Sequence, residues 1–240
     1  CGTVGAGRLP EPEEIVDSVA ASLTPKDFAG KRVLVSAGPT REPIDPVRFV
    51  SNPSSGKMGF AIARAAAARG AAVHLVAGPT ALADPPGIKV TRIETAREMA
   101  DAVLSAMADC DVVIKVAAVA DYRPVSVSAQ KIKKSEAELV VEMEKTQDIL
   151  EAVGRRKAHQ VLVGFAAETE ALEKHAVEKL HRKNLDMIVG NLIGAKDSGF
   201  EADTNKMTFF YRDGRTEAVP VMEKAAAAHV LLDRILALKQ

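Results

Sequence analysis

The chain has 240 residues, enough for one large α/β domain or one domain with a small appendage. Its 32 Lys and Arg balance 32 Asp and Glu, so no global field draws in nucleic acid or a membrane surface, and a phosphorylated ligand would need a local basic cluster. Hydrophobic residues make up 47% without any tryptophan, which predicts an aliphatic core, and no apolar run approaches the roughly 20 residues of a membrane span. Cys1 and Cys110 give no disulfide framework and fit a reducing, cytoplasmic setting.

In chain order, CGTVGAGRLPEP is a glycine-rich stretch with nothing evident to pack against, which suggests the end of an upstream domain. Ile15, Val16, Val19 and Leu23 then recur at helical spacing, predicting a helix over 12–23 that Thr24-Pro25 joins to a first strand at Val33–Val35. From that strand to an alanine-rich helix (60–69) run about twenty residues with four prolines, far longer than an ordinary βα connection and more in keeping with function. The connection ends in Asn52-Pro53-Ser54-Ser55-Gly56, whose small residues would leave the helix N–H groups open to an anion.

Further strands are predicted at Ala72–Ala77, Lys89–Ile93, Asp111–Val116, Leu139–Glu144, Val161–Ala166 and Asp186–Val189. His74 reads as a satisfied core or edge histidine rather than a ligand. Thr95-Ala96-Arg97-Glu98 is a capping-box pattern opening a helix to about Met107, and Thr146 can cap a helix through Arg156. Glu168 and Glu170 lead a helix that carries Lys179 and Lys183 four apart on one face. Asp213-Gly214 between Met207–Tyr211 and Arg215–Val219 is a hairpin signal, and Met222–Leu238 closes the chain as an amphipathic helix. Alternating strands and helices predict an α/β, Rossmann-like, doubly wound and mostly parallel sheet with a C-terminal hairpin. Such sheets bind ligands beyond the carboxyl ends of their strands, which makes Ser36–Gly38, Ala77–Thr80 and Val116–Asp121 the expected site walls. Asp121 offers a carboxylate to a metal or a ribose. The run Lys131-Ile132-Lys133-Lys134 is either solvated surface or, by its place after a strand, a phosphate clamp.

Several chemistries lack their motifs: there is no HExxH, no paired CxxC and no GxSxG elbow. Gly56-Lys57 resembles a Walker lysine, but Met58 stands where the magnesium-binding hydroxyl belongs, and no GxGxxG follows the first strand. What remains is a nucleotide- or phosphometabolite-binding enzyme without an assigned reaction.

Longer motifs carry a resemblance. SAGPTREPID (36–45), RFVSN (48–52), SSGKMG (54–59), AAVADY (117–122), KIKK (131–134), Asp148-Ile149, GFAAET (164–169) and KNLD (183–186) closely resemble bacterial phosphopantothenate–cysteine ligase, in order, from about Lys31 to the end. The resemblance implies a ligase domain over 30–240. It also implies that 1–29 is a linker with the residual tail of a flavin-dependent decarboxylase, FMN belonging only to that absent domain and Cys1 being its stranded proton donor. The implied reaction, in coenzyme A synthesis, joins L-cysteine to 4′-phosphopantothenate with CTP and Mg²⁺ through an acyl-cytidylate, releasing CMP and pyrophosphate. Asn52 would hold the intermediate's carbonyl and Arg48 would reach substrate near a subunit boundary, with Ala117 and Ala118 beside it. Ser54, Ser55 and Gly56 would cradle phosphates. Lys115, Val116 and Ala117 with Gln147, Asp148, Ile149 and Leu150 would wall the nucleotide, and Phe165 would pack near it. Asp121 would bind CTP directly or through its metal, while Lys131, Lys179 and Lys183 would meet nucleotide charge, with Lys145 a weaker candidate. Gln147 stands where that family often has proline. The family's members are dimers, and the Asp213-Gly214 hairpin is a candidate interface. An NAD(P)-dependent reductase shares the fold class, but it wants the absent glycine fingerprint and usually a Tyr-x-x-x-Lys, which neither Tyr122 nor Tyr211 supplies. A non-catalytic binding module is the third reading, though it would not need both an SSGKMG and a KIKK loop.

Overall fold

The computed structural model describes residues 9, 15, 19, 21–134, 139–168, 170–192 and 203–238. Cys1, the Gly2–Arg8 motif and Thr169 lie outside the described residues. The first strand, β1 (Arg32–Ala37), leads into a short antiparallel pair, β2 (Arg41–Pro43) and β3 (Phe49–Ser51), before α1 (Lys57–Ala68). There follow β4 (Ala72–Ala77), β5 (Lys89–Arg92), α2 (Ala96–Ala106) and β6 (Val112–Lys115). A second antiparallel pair, β7 (Tyr122–Pro124) and β8 (Met143–Lys145), precedes α3 (Ile149–Arg156), β9 (Val161–Glu168), α4 (Leu172–Arg182) and β10 (Met187–Leu192). The last part holds β11 (Thr204–Asn205), β12 (Thr208–Tyr211), β13 (Thr216–Ala218), β14 (Met222–Glu223) and α5 (Lys224–Ala237).

Eight strands form one sheet in the order β13-β12-β10-β9-β6-β1-β4-β5. The six from β10 to β5 run parallel, and the β12–β13 hairpin adds antiparallel to one edge, turning at Gly214 with φ +87°. The parallel strands wind outward in opposite directions from the β1–β6 junction, the doubly wound arrangement expected from the sequence. Residues alternate between two cores: Val33, Val35 and Ala37 of β1 pack with α1 and α5, while Leu34 packs with α2, α3 and α4. A parallel sheet covered on both faces has to be apolar on both, which is why its strands read as unbroken aliphatic runs. Contact between α1 and β1 is close enough that a Cβ on Gly59 would fall 2.4 Å from the Ala37 Cβ.

Helix starts follow local chemistry. Thr95 and Glu98 form the expected capping box on α2. The buried Glu42 carboxylate also accepts from the Ala96 N–H at 2.8 Å, so an acid of the β2 arm sits at a helix N-terminus, where it is favoured. Thr146 does not cap α3. Its hydroxyl donates to the Ala120 carbonyl at 2.6 Å, and Asp148 caps instead, accepting from the Glu151 N–H at 3.0 Å. The strand expected at Leu139–Glu144 is confined to Met143–Lys145, because only those residues meet β7; Val140 is 84% exposed. The described positions of the predicted 12–23 helix (15, 19 and 21–23) are helical, but Val19 and Leu23 face solvent. His74 is satisfied by the Thr91 hydroxyl at 2.8 Å. Among the described residues no helix is long and apolar enough to cross a membrane.

Packing on the sheet begins before the expected boundary at residue 30. Phe28 is buried, and Asp27 forms a double hydrogen bond to Arg69 at 2.6 and 2.8 Å. Arg69, itself buried at the end of α1, also binds Asp233 of α5 at 2.7 Å and lies over the Phe28 ring. One guanidinium thus fastens the chain entry, α1 and α5 together. Arg69→Met is expected to cost about 2–3 kcal/mol, less than a fully buried pair because both aspartates can regain water. Urea unfolding measures it, and a loss within 0.5 kcal/mol, about that of an ordinary surface substitution, would show the cluster to be ornamental.

Candidate active site

The ends of β1 and β6 part at the point where the winding reverses, and the loops that leave them are bonded to each other. Ala118 N–H donates to the Gly38 carbonyl at 2.9 Å, and Ala120 N–H donates to the buried Thr40 hydroxyl at 3.0 Å. Gly56 holds φ +76° at the start of α1, a conformation that suits glycine, and a Cβ there would meet Thr80 at 2.7 Å. Between these loops and the starts of α1, α3 and α5 opens a cleft of about 630 Å³. Its floor is small: Gly38, Gly59, Ala117 and Ala118 let a ligand approach backbone.

Among the described residues, six lysines line this cleft, namely Lys57, Lys115, Lys145, Lys179, Lys183 and Lys224, against two lining carboxylates, Asp121 and Asp148. A chain with no net charge has concentrated cations in one concavity. Three of them are held by acids: Lys183 by Asp148 at 2.7 Å, Lys179 by Glu168 at 2.5 Å and Lys57 by Asp203 at 2.6 Å. Burial opposes the charge on Asp148, but the Lys183 hydrogen bond and the Glu151 N–H together hold its carboxyl below the usual range. Lys115 donates to the Ala117 carbonyl at 2.8 Å. Burial, reinforced by the nearby Lys183 charge, pushes its pKa down to about 8. Two buried carboxamide oxygens lining the cleft, on Asn191 and Asn205, find no hydrogen-bond partner among the described residues.

Most residues expected at the site are brought together here. Asn52, Ser54 and Gly56 lie on one side. Val116, Ala117, Ala118 and Asp121 follow β6, and Gln147, Asp148, Ile149 and Leu150 enter α3 with Phe165 beside them. Lys179 and Lys183 project from α4 and its end, and Lys145, the weaker candidate, lines the cleft too. Asn52 is not simply aimed at a ligand. Its amide donates to the Val119 carbonyl at 3.0 Å and, more weakly, towards Ala118 at 3.4 Å, tying its loop to the one after β6.

Ser55, Arg48 and Lys131 do not line the cleft. Arg48 is engaged elsewhere, with its guanidinium on the buried Asp45 carboxylate and on the Ile132 carbonyl at 2.7 Å. Asp45 also accepts from the N–H groups of Val47, Arg48 and Ile132. The Arg48 guanidinium and these N–H groups hold its carboxyl well below the usual carboxylate range despite burial. Lys131 is exposed, on a segment strapped by this contact to the β2–β3 arm. Sequence reading missed Asn191, Asn205 and Lys224 and gave Lys57 no role. Lys57 had a signal, its place after Gly56, whereas Lys224 reads as one more surface lysine until the fold brings α5 beside α1.

The family described as the DNA/pantothenate metabolism flavoprotein C-terminal domain matches residues 28–238. The chain is 46% identical over 244 residues to the coenzyme A biosynthesis bifunctional protein CoaBC of Bacillus subtilis, covering 100% of this chain and 60% of that protein. It is 45% identical over 241 residues to the protein of the same name from Escherichia coli K12, covering 98% and 59%. The chain therefore spans about three-fifths of the length of these curated relatives. A crystal structure of the C-terminal domain of CoaBC superposes with a TM-score of 0.75 at 45% identity, covering 87% of this chain and 95% of that one. The chain belongs to the DNA/pantothenate metabolism flavoprotein C-terminal domain family, with the C-terminal domain of CoaBC as its structural counterpart.

Proposed function

We propose that this domain is a phosphopantothenate–cysteine ligase that uses CTP, with the lysine-lined cleft at the β1–β6 junction as the observation that carries the reading. A carboxylate is a poor acyl donor. Activation through a nucleotide needs a site that gathers cations around a polyphosphate while leaving a small-residue surface for the acyl group. The cleft offers both. In the first half, a carboxylate oxygen of 4′-phosphopantothenate bonds to the α-phosphorus of CTP, and pyrophosphate leaves. In the second, the cysteine amine attacks the acyl carbon, and CMP leaves as the amide forms. Asn52 contributes by fixing the loop beside Ala118, and its longer N–H contact is the one a substrate carbonyl can replace. Asp121 lines the cleft, and Asp148 is committed to Lys183. One carboxylate with the phosphate oxygens suits Mg²⁺, which keeps several waters and takes one or two protein ligands. The ion would neutralise phosphate charge.

A homodimer is part of this reading. Val47, Phe49, Val50, Val125 and Val127 are exposed large hydrophobics on and beside the β2–β3 and β7 arms. The Asp213-Gly214 turn presents Arg212, Asp213 and Arg215 to solvent, a polar tip that makes it the weaker candidate for the interface. Arg48 on the apolar arm would then face a neighbouring subunit.

The test is exchange of labelled pyrophosphate into CTP with 4′-phosphopantothenate and Mg²⁺ but no cysteine. Exchange is expected, and release of CDP and phosphate, or exchange that requires cysteine, would overturn the two-step scheme. Thermal stabilisation by CTP with Mg²⁺ should exceed that by ATP or NADPH at equal concentration. A larger shift with NADPH would favour the reductase.

Lys115 adds a pH signature. Its folded pKa is about 8 against an ordinary 10.5, so between those values the unfolded chain holds a proton that the folded chain has lost. Its contribution to stability therefore rises with pH across that window, while the positive charge offered to a nucleotide disappears. CTP affinity is expected to fall as pH passes about 8 and to lose that dependence in Lys115→Met, as read by calorimetry at several pH values.

A further inference from the structure

The loop after β4, expected to wall the site at Ala77–Thr80, does not line the cleft but stands directly behind two residues that do. Gly38 and Gly56 line the cleft with φ +77° and +76°, and their backbones pack on each other, a Cβ on Gly56 falling 3.5 Å from the Gly38 Cα. Neither has a side chain to hold that conformation. The space their Cβ atoms would take is bounded by one methyl group. Thr80 Cγ2 lies 2.9 Å from the Cβ position of Gly38 and 2.7 Å from that of Gly56. Gly78 lets the loop come this near, since its own Cβ would fall 1.7 Å from the Pro39 carbonyl oxygen.

Thr80 is fixed in turn by Arg92. Its hydroxyl accepts from that guanidinium at 3.3 Å, and the same guanidinium donates to the Leu82 carbonyl at 2.7 Å and to Asp84 at 2.9 Å. Arg92 also lies over the Phe60 ring of α1, 5.5 Å from its centre, and pairs in register with Ala77 where β5 ends. The loop is therefore anchored both to the sheet and to α1. Anchoring matters here because Gly56, the N-cap of α1, has no side chain with which to cap the helix. The leading N–H groups of α1 have no partners within the helix, and the Gly56 backbone sets where they point. Glycine adopts positive and negative φ about equally well, so an unsupported Gly56 would have to be ordered by the ligand on binding.

We infer that Thr80 is a positioning residue for the nucleotide. Its γ-methyl holds Gly56 and Gly38 in the conformation that directs the first N–H groups of α1 into the cleft. This rests on the ligase reading, in which CTP occupies the cleft. Thr80 touches no ligand and acts through Gly56. It removes before binding the freedom that this backbone would otherwise lose to the ligand, and fixing one residue's backbone is worth about fivefold or more in affinity.

Calorimetry of CTP with Mg²⁺, together with KM for CTP and kcat in the complete ligation reaction, tests this with two substitutions. Thr80→Ser keeps the hydroxyl for Arg92 and removes the methyl, whereas Thr80→Val keeps a methyl and removes the hydroxyl. Thr80 is half-buried, so both proteins are expected to fold. Thr80→Ser should weaken CTP binding and raise its KM about fivefold while kcat moves by less than about twofold, and Thr80→Val should stay within about twofold throughout. A side chain serving stability only would lower the urea midpoint of Thr80→Ser and leave CTP affinity and KM unchanged. That result, or equal losses in the two variants, would overturn the positioning role, and ligation at full rate alongside it would leave the ligase reading standing. Weaker CTP binding confined to Thr80→Ser, in a protein that forms no cytidylate, would defeat the ligase reading and leave the positioning role in place.

Discussion

The loops that leave β1 and β6 are hydrogen-bonded to one another beyond the sheet, and the rest of the site depends on that lacing. In a doubly wound sheet the two chains diverge here, one towards each face, and would ordinarily leave an open crevice. Ala118 on Gly38, Ala120 on the Thr40 hydroxyl and Asn52 on Val119 close its base. Each bond joins parts of the chain far apart in sequence, so the geometry exists only once β1 and β6 are paired. The small residues of both loops are then needed, since a larger side chain would fill the space that the lacing frames.

Electrostatics in the cleft follow from the same confinement. Six lysines in one concavity repel each other, and the folded protein tolerates them by three devices. Asp148, Glu168 and Asp203 hold Lys183, Lys179 and Lys57, burial makes Lys115 and Lys224 easier to neutralise, and Lys145 faces solvent. On the proposed reading, a bound polyanion would offer phosphate oxygens to these lysines and relieve that repulsion. Binding energy in such a site comes partly from repulsion already present, as expected where stability yields to function.

How much of this was legible in the sequence depends on the range of the interaction involved. Capping at Thr95, the turn at Gly214 and the aliphatic strands were readable because neighbours within a few residues determine them. The three-residue strands β2, β3, β7 and β8 were not, since they are too short to show a period and exist because their partners are positioned by the lacing. Leu139–Glu144 misled for the same reason: alternation alone cannot say whether a partner strand is present. At the site, the loops after the strands followed from topology, whereas Asn205 and Lys224 needed the packing of α5 on α1, which no local pattern encodes.

Asp45 places a mechanical condition on the residues that stand outside the cleft. Its carboxylate binds the Arg48 guanidinium and the Ile132 N–H together, and its low pKa keeps it ionised through neutral and mildly acidic pH. Arg48 also holds the Ile132 carbonyl, and Ser128 N–H bonds to Ile44, so the segment carrying Lys131 is fastened to the β2–β3 arm at several points. Movement of Lys131 towards the cleft must therefore either break the contacts of a buried carboxylate or carry the arm with it. The first route would leave a buried charge short of partners and is the costlier. The second moves Arg48 and the exposed Val47 and Phe49 as one body, so the environment of the arm sets how easily Lys131 approaches the cleft.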